Sequence, residues 1–218
     1  VLELMDRPLD APDELEGNLA DIAFANRWFG GIAPVRREVR RSGARTILDV
    51  GSGAGDVTAA LVRDAGRHGI DVRATCLDSS PQMIAIARRR IGNDDRLTFV
   101  QGEGERLPFA DGSFDVVICT LALHHFEPTP ARALLREMRR VARLTPIVAD
   151  LSRSAFAYAA TWLYARAASR NRLTRHDAPL SVRRAYEPRE ALIMARDAGW
   201  NAPYVRPEPF FRMTLIDG

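Results

Sequence analysis

Lysine is absent from this chain of 218 residues, and all 31 basic side chains are arginine. Against 28 acids they leave a formal net charge of only +3. A nucleic-acid surface wants a clustered basic stripe with interleaved aromatics. The one dense arginine stretch, residues 166–184, has Asp177 within it and Glu187 and Glu190 just beyond to neutralise it, and no RNA-module or flipped-base motif accompanies it, so nucleic acid is not the expected partner. Cysteine is scarce too. Cys76 and Cys119 each fall late in an apolar run, where buried free thiols are the ordinary outcome. With no Cys/His cluster at ligand spacing, no metal is expected. No run of 18 apolar residues exists, so no membrane span is expected. The first residues lack the basic-then-apolar order of a signal peptide, and a cytoplasmic location is expected. Repeats and low-complexity segments are missing as well.

What is present is a core-forming chain, 46% apolar and 27% charged. That suits one domain, as monomer or homodimer. Helical spacing of Leu15, Leu19, Ile22, Ala23 and Trp28 predicts a helix over 14–29, broken at Gly30-Gly31. A short helix over 32–41 follows. Strands are predicted at 46–50, 71–77, 97–100, 114–120 and 146–150, with helices over 55–68, 81–91 and 130–141 between them. Strand and helix alternate through short connections, which predicts an α/β sandwich with a mostly parallel sheet. An insertion over 152–188 interrupts the alternation. A helix over 189–198 and a terminal antiparallel pair, with Pro207 and Pro209 in its connection, complete the chain.

The segment from Ile47 to Asp56 carries the most information. An apolar strand ends at Asp49-Val50 and breaks into Gly51, Gly53 and Gly55. Glycines there allow a tight turn and bring bare backbone against a ligand. The G-x-G-x-G spacing differs from the G-x-G-x-x-G of dinucleotide folds, which favours another adenosine cofactor. Asp78 ends the next strand and is placed to accept from two ribose hydroxyls. Glu103 follows the third strand, where its carboxylate can accept from an adenine amine. The Gly104 N–H is suited to a ring nitrogen, and Ser79 and Met83 to one side of the adenine slot.

Taken together, Asp49-Val50-Gly51-Ser52-Gly53, the acid Asp78, the loop from Gly102 to Phe109 and Ser113-Phe114-Asp115-Val116-Val117 resemble the class I S-adenosylmethionine-dependent methyltransferases. The resemblance covers 44–151, and its closest look is to the small-molecule branch acting on quinones and polyketides. It implies a Rossmann-like three-layer sandwich whose seven-stranded sheet has one antiparallel strand. It implies S-adenosylmethionine as cofactor and S-adenosylhomocysteine as product. By the same resemblance Asp49 orients the methionine moiety, Gly51 and Gly53 approach it, and Thr120 and Leu121 lie beside the sulfonium. Glu103-Gly104 stands where Asp-Ala is commoner in the family. Residues 18–31 resemble the N-terminal helix of some small-molecule members, which makes Arg27 a candidate for the cofactor carboxylate and Trp28 a pocket wall. The whole chain is then one methyltransferase domain with a helical cap over 14–41 and a lid-like insertion over 152–188.

Chemistry on the acceptor side falls to Thr120-Leu121-Ala122-Leu123-His124-His125-Phe126. His125, ahead of His124, is the candidate general base, with a structural histidine pair as the alternative. Two adjacent histidines are a poor chelating pair without a third ligand, so a metal is again not expected. The aromatic helix containing Tyr158 and Trp162 reads as a lid over a greasy acceptor, with packing and dimerisation as alternatives. The arginine stretch reads as a solvated, salt-bridged loop, with an acidic acceptor as the other use. His176 and Tyr186 are lesser acceptor candidates. The expected reaction is methylation of a small aromatic or polyketide-like acceptor, on oxygen first. C-methylation of a quinol-like ring, an RNA-directed enzyme and a noncatalytic cofactor-binding regulator are the alternatives.

Overall fold

The computed structural model describes residues 3–4, 12–28 and 30–218, without the side chains of Pro12, Asp13 and Arg27. Seven strands form one sheet: β1 (Thr46–Val50), β2 (Arg73–Asp78), β3 (Leu97–Gln101), β4 (Phe114–Thr120), β5 (Ala142–Leu151), β6 (Pro203–Glu208) and β7 (Arg212–Asp217). Their order is β3-β2-β1-β4-β5-β7-β6. Neighbours from β3 to β5 pair in parallel, whereas β7 runs antiparallel to both β5 and β6. One reversed strand is the family's expected pattern.

Period-two alternation puts the core on both faces of this sheet. From β1, Ile47 joins one apolar cluster and Leu48 the other. From β4, Val116 and Ile118 point one way, Val117 and Cys119 the other. The Val117 face is covered by α5 (Pro128–Val141) and α8 (Pro188–Asp197), through Leu134, Leu135, Met138 and Met194. The opposite face is covered by α2 (Ala33–Ser42) and α3 (Asp56–Arg67), through Val35, Val39, Leu61 and Val62. A strand buried on both faces is mostly apolar, which is why β4 reads as a near-continuous run apart from Asp115, whose carboxylate accepts the Arg45 and Thr46 N–H groups. Both cysteines are buried and unpaired. Burial pushes the Cys76 thiol up to about 12 and Cys119 well above its usual value, so neither is a nucleophile.

Helix starts follow local rules. Ser80 caps α4 (Pro81–Ile91) by accepting from the Met83 N–H, and Pro81 sits in the first turn. Glu187 and Glu190 form a reciprocal capping box on α8.

Three expectations are corrected. Strand β5 begins at Ala142, not Pro146, because α5 leads into it directly. Pro207 lies within β6, an edge strand whose outer side needs no donor. The arginine stretch is a helix, α7 (Arg172–Arg184), packed against α6 (Ala155–Ala168) and α1 (Pro12–Trp28). Its inward side is polar, which hid the helical period. Thr174 accepts from Asn18 Nδ2 at 3.1 Å and donates to Asp21 Oδ2 at 2.7 Å. Asn171 caps the helix through the Leu173 and Thr174 N–H groups and donates to the Glu14 carbonyl at 2.7 Å.

Candidate cofactor and acceptor site

The sheet order reverses between β1 and β4, so the chain leaves these two strand ends in opposite directions. Such a switch point opens a crevice at the carboxyl ends of the strands. Asp49, Gly51 and Thr120 all fall there.

The glycine turn is held from below by Gly51 and Ser52, whose N–H groups donate to the Leu77 carbonyl at 2.9 and 3.0 Å. Gly51 has φ +70°, and a Cβ there would stand 2.7 Å from the Ala122 Cβ. Gly53 has φ +53° with nothing within 4 Å of a would-be Cβ, so its bare face looks into open space. From the neighbouring strand, Asp78 accepts the Gly53 N–H at 2.8 Å and the Ser80 N–H at 2.9 Å. One carboxylate thus fixes the turn and the start of α4.

Asp49 is 1% exposed, and one of its oxygens accepts from the Thr58 hydroxyl. Among the described residues the other, Oδ1, finds no hydrogen-bond partner; nor do the buried Ser52 Oγ and Thr120 Oγ1. A buried polar atom left unsatisfied costs about 1–3 kcal/mol. Burial, with a contribution from the nearby Asp78 charge and against the Thr58 hydrogen bond, pushes the Asp49 carboxyl up to about 7. Beyond β4, Leu121 holds φ +53°, a conformation rare outside glycine and concentrated at functional sites.

A family model described as a methyltransferase domain matches residues 47–145. Those residues are a class I, S-adenosylmethionine-dependent methyltransferase domain. The demethylmenaquinone methyltransferase of Chlorobaculum parvum is 37% identical over 111 residues, 50% of this chain and 43% of that protein. A ubiquinone/menaquinone biosynthesis C-methyltransferase of Hahella chejuensis is 36% identical over 114 residues, 50% of this chain and 44% of that protein. The matches to these relatives thus span less than half of their length. Human N-acetylserotonin methyltransferase, solved with its cofactor, superposes with a TM-score of 0.66 at 16% identity, over 93% of this chain and 55% of that one. At that identity the likeness speaks for the fold alone.

The methyltransferase domain fits S-adenosylmethionine on its own chemistry. A cationic ligand would meet an acid whose ionisation is costly without one, and hydroxyls that lack partners. Glu103 stands exposed at the rim after β3, and Gly104 is buried against Leu134 and Val50. Ser79 is exposed beside Asp78. Met83 packs with Leu15, Leu19, Ile86 and Leu173, so it ties α4 to α1 and α7. The Arg27 side chain lies outside the described residues.

The acceptor candidates are dispersed. Asp150, at the end of β5, accepts the His124 backbone N–H at 3.0 Å and the Nδ1 proton of the same ring at 2.6 Å. Burial would raise the Asp150 carboxyl, but the His124 charge and hydrogen bond, with two backbone N–H donors, hold it below its usual value. Arg184 donates to the His124 and His125 carbonyls at 3.0 and 2.6 Å. Tyr186 donates its hydroxyl to the Phe126 carbonyl at 2.7 Å. So Tyr186 and the arginine stretch brace this loop. His176 pairs with its neighbour Asp177 at 2.7 Å. Tyr158 lines an open concavity of about 430 Å³ with Arg153, Ser154 and Arg183, between α6 and α7. Trp162 lies under the Arg166 guanidinium, and Trp28 is exposed against Phe24.

One residue escaped the sequence analysis. Arg212 opens the reversed strand, so it arrives at the crevice end opposite Leu151. It donates to Asn26 Oδ1 at 3.3 Å through both terminal nitrogens. Burial lowers its guanidinium below the usual value despite the Asp150 charge. The terminal antiparallel pair was expected; the place of β7 beside β5, which brings Arg212 to the crevice, was not.

Proposed function

We propose that the protein transfers a methyl group from S-adenosylmethionine to a small aromatic acceptor of the phenol or quinol kind. The observation that carries this is the set of unsatisfied buried atoms, Asp49 Oδ1, Ser52 Oγ and Thr120 Oγ1, around the open face of Gly53. The cofactor, when bound, supplies an electrophilic methyl on a sulfonium that leaves as a neutral thioether. Asp49 would favour its positive charge. Asp78, which accepts the Gly53 and Ser80 N–H groups, would meet the ribose hydroxyls. Glu103 and Gly104 would meet the adenine, with Ser79 alongside.

The acceptor must lie close to the transferring carbon and away from water. His125, or His124 with its Nδ1 proton held by Asp150, would take the acceptor proton. Arg212 suits an acceptor bearing an acidic oxygen. Helix α1 would cap the crevice, and α6 with α7 would close over the acceptor. A small molecule is favoured over RNA because three of the four α7 arginines are engaged within the chain, Arg172 by Glu14, Arg175 by the Ser169 and Arg166 carbonyls and Arg184 by two carbonyls. Oxygen is the first expected target. Methylation of a ring carbon is the second reading, favoured by the C-methyltransferase activity named for the Hahella relative.

The test is incubation with methyl-labelled cofactor and a panel of phenols, quinols and RNA. A labelled aryl ether supports the first reading, and a labelled ring methyl the second. Label transferred to RNA alone overturns both.

A further inference from the structure

The geometry points to a metal-binding site built from Glu3, His124 and His125, suited to a divalent transition ion such as zinc. Adjacent histidines alone chelate poorly, but the single helical turn Leu123–His125 brings both imidazoles to one side, with centroids 4.5 Å apart. Glu3 supplies the third group from the far end of the chain and is 1% exposed. Its Oε1 stands 3.7 Å from His124 Nε2, and its Oε2 stands 3.8 Å from His125 Nε2. All three ligand atoms lie within 4.8 Å of one another.

These separations are too long for hydrogen bonds. Bonds of about 2.0–2.1 Å in a tetrahedral zinc site put neighbouring ligand atoms about 3.4 Å apart. Closure of about 0.3–0.4 Å between Glu3 and each ring, and of at most about 1.4 Å between any two ligand atoms, would therefore seat an ion. The surroundings are those of a metal-bound histidine. Asp150 holds the Nδ1 proton of His124 at 2.6 Å, which leaves Nε2 with the lone pair. Ser181 donates to Glu3 Oε1 at 2.7 Å and orients the carboxylate. Arg184 fixes both histidine carbonyls. Two imidazoles and one carboxylate suit zinc with a fourth position open, though other first-row ions compete for such a set. The ion would staple the start of the chain to the loop after β4. This inference does not depend on methyl transfer itself, but an ion on His124 Nε2 takes the lone pair that ring would use as a base, so with the ion bound His124 is a ligand and not the base.

The experiment uses the full chain, untagged and stripped by a chelator, titrated with zinc and separately with cobalt(II). One equivalent should bind, with visible tetrahedral cobalt absorbance and a higher midpoint of thermal unfolding in zinc. Magnesium should do neither. Glu3→Gln should weaken zinc binding at least tenfold and remove the thermal shift. His125→Gln serves as the second variant, because that ring is partly exposed and its loss leaves the His124–Asp150 pair intact. Zinc binding that is absent, or undiminished in both variants, overturns the proposal.

Discussion

The glycine turn and the histidine turn lie at the ends of adjacent strands, β1 and β4, but are assembled from different distances. The first is nearly local. Asp49, Ser52, Gly53, Thr58 and Asp78 come from one strand–turn–helix unit and the strand beside it. The second draws on Glu3, Asp150, Ser181 and Arg184, which meet only in the finished fold. Among the described residues the first keeps three polar atoms unsatisfied. The second engages His124 Nδ1 and the loop carbonyls in hydrogen bonds but holds Glu3 too far from His124 Nε2 for one. Holding the loop uses the backbone and Nδ1 of the second turn, and receiving a ligand falls to the side-chain atoms left over.

The largest expected effect comes from closing the glycine turn. Gly51→Val adds a β-branched side chain at φ +70°, against the Ala122 methyl 2.7 Å away. Backbone strain and overpacking together predict a loss of about 2–6 kcal/mol in stability. Cofactor binding, followed by calorimetry, should become undetectable. Cofactor affinity within tenfold of the parent would mean that the turn does not receive the ligand.

That prediction could be written from sequence, because a glycine pattern reports its own backbone. Strands β1 and β4 and helix α4 were legible to the residue for a like reason. Their periodicity, proline and serine cap act within a few positions. Helix α7 was not legible, since its buried side carries Thr174, Asp177 and Ser181, and their partners, Asn18 and Asp21 of α1 and Glu3 and Leu4 ahead of it, meet them only in the finished fold. Nor was the third member of the histidine cluster, because no local spacing links residue 3 to residue 124. The Arg212 position depended on the place of β7 beside β5.

A smaller effect tests the charge of the first turn. The Asp49 carboxyl titrates near 7 in the fold and near 3.8 as its reference. Between those values the folded chain holds a proton that the unfolded chain has lost. The stabilising contribution is therefore complete below about pH 4, declines as pH rises through 7, and is gone above it. Asp49→Asn should flatten that slope and gain roughly 1–3 kcal/mol at pH 8, by denaturant unfolding, at about 1.4 kcal/mol per unit less the cost of an unplaced amide. A cationic cofactor favours the ionised acid. Affinity in the parent should rise with pH up to about 7, with proton release seen by calorimetry in two buffers. The variant should bind about 10- to 100-fold more weakly at pH 8, with no pH slope. A variant that keeps both the slope and the affinity would remove Asp49 from the site.

The smallest effect on stability comes from the outer surface of α6, and it bears on the acceptor half alone. Phe156 is 71% and Leu163 64% exposed, and only Ala157 and Ala165 of this helix are buried. So much apolar surface on a helix that contributes little to the core needs another use. The proposed closure over an aromatic acceptor would give it one. Trp162→Ala loses the stacked Arg166, worth about 0.5–1 kcal/mol at an exposed site, and Leu163→Ser should cost less still. If α6 is a lid, both substitutions should raise KM for the acceptor severalfold and leave cofactor affinity untouched. That split separates the two halves: a variant in the glycine turn weakens the cofactor first, and one in α6 weakens only the acceptor. Unchanged acceptor KM in the double variant would reduce α6 to a packing element and leave acceptor recognition to the loop around His125 and Arg212.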